Sequence, residues 1–170
     1  GQSGMARDAA EIEPRLFEVQ GVQICHLAYT WGFNGLSLPG DEPWRSAEID
    51  PDRIIRDAAK ARELGAEIVV VSMHHTHVVQ PIEQVNGVWT VFGMGNVLSN
   101  HPTRDFFPPS SQDGVIVTVS IEVDADGTVT VATPVVHPTW VDRRNGYVIR
   151  DVLADLADPE LDPGLRASLE

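Results

Sequence analysis

Cysteine is almost missing from this sequence. Cys25 is the only one, which excludes an internal disulfide and any paired-cysteine metal or redox site. It lies in the apolar run Val22-Gln23-Ile24-Cys25-His26-Leu27-Ala28-Tyr29, where a small buried thiol fits. Lysine is nearly missing too. Lys60 is the sole lysine among 12 basic residues, set against 25 acidic ones for a formal net charge of −13. That balance argues against nucleic acid as a partner, because such binding rests on neutralising phosphates. It also disfavours anionic membrane surfaces and favours solubility. No apolar run approaches the roughly 18 residues of a membrane span, and no basic segment leads into a short apolar stretch of the signal-peptide kind. Internal repeats and low-complexity blocks are absent, as are GxSxG, P-loop and Gly-rich dinucleotide signatures.

What is present reads as a folded chain. Hydrophobic residues make up 42% and charged residues 22%, the balance of a globular protein, and 170 residues suffice for one domain burying roughly two-thirds of its unfolded surface. Gly1-Gln2-Ser3-Gly4-Met5 looks like an expression scar (residues 1–5) and is set aside from the fold. Leu16–Gln20 and Val22–Tyr29 read as strands joined near Gly21. A Gly/Pro-rich loop, Gly32–Pro43, separates them from the clearest helix, 51–64. There Asp50 is the N-cap, Pro51 takes the first helical position, Asp52 complements the dipole and Gly65 stops the helix. The β-branched run Ile68-Val69-Val70-Val71, within a strand 67–73, reads as a central strand buried on both faces and parallel to the strand before the helix. Asn86-Gly87 and Asp126-Gly127 then mark two hairpins, 78–93 and 115–136. The fold class expected is α/β, one β-α-β unit followed by antiparallel hairpins in a mixed sheet (6–150), with helical pieces at 152–156 and 163–169 in a tail (151–170).

Chemistry concentrates at the end of the β-branched run. His74, His75 and His77 follow it directly, and in an extended chain His75 and His77 point to one side. Two same-side imidazoles suit Zn, Mn or Fe, and the end of a buried strand in an α/β sheet is where ligands bind. A hydrogen-bonded structural cluster is the competing reading. Bridging carboxylates are scarce nearby. Glu83 lies across a strand, and Asp41, Glu42, Asp105 and Asp113 are loop acids without ligand spacing. Gly93-Met94-Gly95-Asn96 implies a close backbone approach, to a site or to another segment, with Asn96 orienting a ligand or capping a turn. Arg143-Arg144, in a turn, could hold an anionic substrate group, although a solvated charged turn is favoured. His101 reads as a loop histidine and His26 as a satisfied core or edge histidine.

Several of these strings, spread over about residues 18–147, resemble the bacterial CapA (poly-γ-glutamate capsule synthesis) family. They are Val22–Tyr29 with Thr30, Ile68-to-His74, His75-Thr76-His77-Val78-Val79-Gln80-Pro81-Ile82-Glu83, Gly93-Met94-Gly95-Asn96 and Pro138-Thr139-Trp140-Val141-Asp142-Arg143-Arg144. The resemblance implies a calcineurin-like metallophosphoesterase sandwich and a metal-dependent hydrolase chemistry. Its metal ligands would be His75 and His77 as the His-x-His pair, with His74 as the strand-end histidine or the first of the doublet. It also implies a cell-envelope or extracellular location and an anionic polymer or phosphoester substrate, for which Asn96, Arg143 and Arg144, singled out above on their own residue chemistry, are the expected binding residues. The chain departs from the family where Ser72-Met73-His74 runs straight into His75-Thr76-His77. The Trp-Gly string and about one helix and one strand, roughly 30–40 residues by β-α-β dimensions, are missing there. A second expectation is therefore a non-catalytic envelope module, oligomerising to cover an exposed sheet face.

Overall fold

Strand-forming sequence dominates and the chain builds several small sheets. The structure is a computed structural model that describes residues 3–33, 35–99 and 108–170, and of His74 the backbone alone. The fold is mixed α/β, with ten strands and three α-helices among the described residues. It divides into two compact units, Gly1–His75 with Val123–Val129, and Thr76–Glu122 with Thr130–Glu170, where the sequence suggested one domain and a tail.

In the first unit β1 (Leu16–Val19) pairs antiparallel with β2 (Val22–Thr30), and Gln20 and Gly21 both take positive φ in the turn between them. Helix α1 (Pro51–Glu63) then carries the chain to β3 (Ile68–His74), which runs parallel to β2 with Cys25 opposite Val69 and Leu27 opposite Val71. The β-α-β unit is thus present. The Asp50 side chain accepts from the Asp52 amide, 3.0 Å, and Gly65, at φ 104°, ends the helix as only glycine does readily. The core is the face of β2 carrying Cys25, Leu27 and Tyr29, closed by Ala61 and Ala66, with Ile54 and Ala58 packed against it. Alanines on α1 let the helix lie close to the sheet. Burial pushes the Cys25 thiol up, as an inert core cysteine requires.

Two expectations need correction in this unit. β3 is not a central strand. It lies at the edge of the sheet ordered β1-β2-β3, and Val70, Val71 and Met73 are 42, 38 and 57% exposed. A β-branched run reports strand propensity, and how many neighbours cover it is decided elsewhere in the chain. The segment set aside as a scar is also part of this sheet's surroundings. The Gly4 carbonyl accepts from the Ala47 amide (3.2 Å) and from Ser46 Oγ (3.0 Å), and Ser3 Oγ donates to the His26 carbonyl, 2.6 Å.

The second unit begins with the hairpin of β4 (Ile82–Val85) and β5 (Val88–Val91). Asn86 and Gly87 sit at φ 51° and 81°, the pair of left-handed residues a tight two-residue hairpin needs. The second expected hairpin has two stages. β6 (Asp113–Thr118) pairs with β9 (Val135–Asp142), and β7 (Ile121–Val123) pairs with β8 (Val129–Val131) around the Asp126-Gly127 turn, whose residues 123–129 are counted with the first unit. β10 (Val148–Asp151) adds to the other side of β9. Proline in a middle strand is unusual, yet Pro138 is accommodated. Its partner Val115 donates to the Met94 carbonyl, 2.9 Å, away from β9, so the pair is not hydrogen-bonded, and the β10 ladder stops at Thr139. Helices α2 (Val152–Ala157) and α3 (Pro163–Leu169) follow, tied by Arg166 donating to the Leu156 and Asp158 carbonyls at 3.1 and 2.7 Å.

Candidate functional site

Three glycines bring three backbone segments of the second unit together. Val79 bridges Met94 and Gly95 bridges Gly114, so Gly93–Asn96 is held between 78–80 and 113–115. A Cβ on Gly93 would lie 2.7 Å from Thr76 Oγ1 and the Val78 carbonyl, and one on Gly95 would lie 2.3 Å from the Asp113 carbonyl. A Cβ on Gly114 would meet the Asn96 carbonyl at 2.5 Å. The close approach expected of Gly93-Met94-Gly95 is thus an approach to other chain segments.

This packing delivers Asn96 to His77. The Asn96 Nδ2 donates to two carbonyls, that of His77 (3.1 Å) and that of Ser111 (2.9 Å). Two acceptors on that side fix which way round the carboxamide sits, so Oδ1 must face the His77 ring, 2.7 Å from Nδ1. An amide oxygen only accepts, hence Nδ1 carries the proton and Nε2 is the acceptor atom of the neutral imidazole. Metal-binding and proton-accepting imidazoles are oriented in this way, with one nitrogen donating to a fixed oxygen. His77 also has φ 52°, a conformation that is uncommon for a side chain larger than glycine and that persists where surroundings enforce it.

The other histidines are placed differently. His74 is the last residue of β3, opposite Thr30, and His75 ends the first unit, its ring 6.4 Å from that of Trp31 and tilted by 33°. The boundary between units falls between His75 and Thr76. The extended strand on which the pairing of His75 with His77 was premised ends at His74, and His77 has a left-handed backbone. His26 Nε2 lies 2.8 Å from Ser72 Oγ on the neighbouring strand, a satisfied histidine as read. His101 and Asp105 lie outside the described residues. Among the described residues no group of three or more His, Cys, Asp or Glu is gathered as a metal would need. Glu42 is paired with Arg45, and Glu83 stands in β4 opposite Thr90.

Arg143 and Arg144 open a tight turn after β9. Asp142, fully buried, accepts from the Arg144 amide (3.2 Å) and from Asn145 Nδ2 (2.6 Å), and Arg144 Nη2 donates to Ser168 Oγ on α3, 3.0 Å. Asp142 and Ser111 were not singled out in the sequence. An Asp opening an Arg-Arg-Asn-Gly turn is a legible turn cap, whereas nothing local marks a Ser whose carbonyl receives Asn96. Comparison with family models, with curated proteins and with solved structures returns no match.

Proposed function

We propose that this chain is a CapA-like protein of bacterial capsule or cell-envelope polymer synthesis, of metal-dependent phosphoesterase ancestry, with His77 as its functional imidazole. The observation that carries the reading is the Asn96 carboxamide holding His77 Nδ1 as donor, the tautomer in which Nε2 is the basic nitrogen of the ring. The strings that resemble the family supply the polymer context, and the calcineurin-like sandwich belongs to the same proposal.

A Zn, Mn or Fe centre needs at least about three protein donors. By the resemblance His77 and His75 would be two of them, and the described residues gather no set of three. The chain's own contribution is an imidazole whose tautomer Asn96 sets. A second reading, a non-catalytic envelope module, is favoured by one feature, that the described residues gather no group of three metal-type ligands.

Metal content of the purified protein, measured alongside hydrolysis of bis(p-nitrophenyl) phosphate and a γ-glutamyl amide with added Mn²⁺ or Zn²⁺, separates the two. Stoichiometric metal and turnover, both lost in a His75→Ala/His77→Ala double variant, support the hydrolase. No bound metal and no turnover at any metal concentration sink it and leave the module.

A further inference from the structure

The second unit contains a cleft of about 960 Å³, at the upper end of the size range for small-molecule sites. Its lining includes Arg143, Arg144, Trp140, Tyr147, Asp113 and Ser168. From this lining we infer that the cleft binds a small organic oxyanion, a carboxylate or phosphate monoester carried on a ring or other apolar body. This goes beyond the His77 reading and does not depend on it.

The charge-bearing end is built in advance. Arg143 and Arg144 both line the cleft, and a guanidinium is a planar fork of donors of the kind that matches carboxylate or phosphate oxygens in pairs. Their turn is pinned by the buried Asp142 carboxylate through the Arg144 amide and Asn145 Nδ2, and the Arg144 arm is tethered to Ser168. Little ordering is then left to be done when a ligand arrives, which is how preorganised sites gain affinity. The rest of the lining is different in kind. Trp140 from β9, Tyr147 after the turn and Val115 from β6 offer ring and aliphatic surface for the body of the ligand. Asp113 and Glu170 also line the cleft, and with a chain charge of −13 they oppose a ligand charged along its length. One anionic group at one end, with an uncharged body, is the chemistry that satisfies both ends.

Isothermal titration calorimetry of the full chain with phenyl phosphate, benzoate, inorganic phosphate and phenol tests this. Phenyl phosphate or benzoate is expected to bind at least about tenfold more tightly than inorganic phosphate or phenol, because each of these lacks one half of the match. Whichever of the first two binds more tightly identifies the oxyanion. Arg144→Gln, at an exposed side chain whose Nε stands 4.0 Å from the buried Asp142 carboxylate, is expected to weaken that binding at least about tenfold, with the chain still unfolding cooperatively at a lowered Tm. Ser168→Ala, which keeps the charge and frees the arm, should weaken it less. Binding that is equal for inorganic phosphate and phenyl phosphate, unaltered in Arg144→Gln, or absent for all four probes overturns the proposal.

Discussion

Asn96 spends a whole carboxamide on two carbonyls and one imidazole, and each of those bonds has a consequence. Asn96→Ala leaves the Ser111 and His77 carbonyls without this donor, a loss of about 1–3 kcal/mol, to be read from urea midpoints. In ¹⁵N–¹H correlation spectra the neutral His77 ring should show its proton on Nδ1, and that preference should vanish in the variant. A wild-type ring protonated on Nε2 would sink the clamp. Tyr29 makes the second residue-scale prediction. Burial first, and then its 2.8 Å hydrogen bond to Asp57, holds the phenol's pKa above its ordinary value of 10. The folded chain therefore keeps the proton where the unfolded chain gives it up. The stabilisation is complete below about pH 10 and is lost as pH rises above that value. Tyr29→Phe should flatten the alkaline limb of a Tm-against-pH profile, and an equally steep limb in the variant would refute the assignment.

Elements were the most legible scale, for a local reason. The Asp50-Pro51 start of α1 and the Asn86-Gly87 turn depend on backbone preferences of neighbouring residues, and both appear as read. The position of β3 depends on what else pairs with it, and its apolar run does not carry that information. An uncharged edge strand with partly exposed valines is open to pairing with other chains. Val70→Lys, on the face away from the Cys25–Tyr29 core, should raise the aggregation onset temperature in light scattering while moving stability by no more than about 1 kcal/mol. Unchanged aggregation would show that this edge is not the route. Gly95 tests the three-segment junction. Its φ of 69° and the 2.3 Å gap from a built Cβ to the Asp113 carbonyl predict that Gly95→Ala costs at least about 1 kcal/mol, checked by equilibrium unfolding. A neutral outcome would contradict the packing.

At the scale of the whole molecule the clearest property is charge. With 25 acidic and 12 basic side chains, self-repulsion opposes the folded state. Raising ionic strength from about 0.01 M to about 0.15 M shrinks the screening length from about 30 Å to about 8 Å, and should raise Tm in differential scanning fluorimetry. A fall in Tm would mean that paired charges such as Arg7–Glu11 and Arg150–Asp155 outweigh the excess. The division into two units belongs to this scale as well, and the chain passes from one to the other between His75 and Thr76.

The sequence by itself determined the charge, the capped helix, the β-α-β order, the Asn-Gly turn and the tail helices, because each rests on composition or on preferences acting within a few residues. Only the tertiary structure decided that β3 stands at an edge, that Ser3–Met5 joins the first unit, and that Asn96, 19 residues from His77, sets the tautomer of that ring. It also decided that the Arg143-Arg144 turn faces a cleft shared with β6 and α3. Those outcomes turn on hydrogen bonds and close contacts between residues far apart in the chain, and no local pattern of residue types encodes which distant segment will arrive.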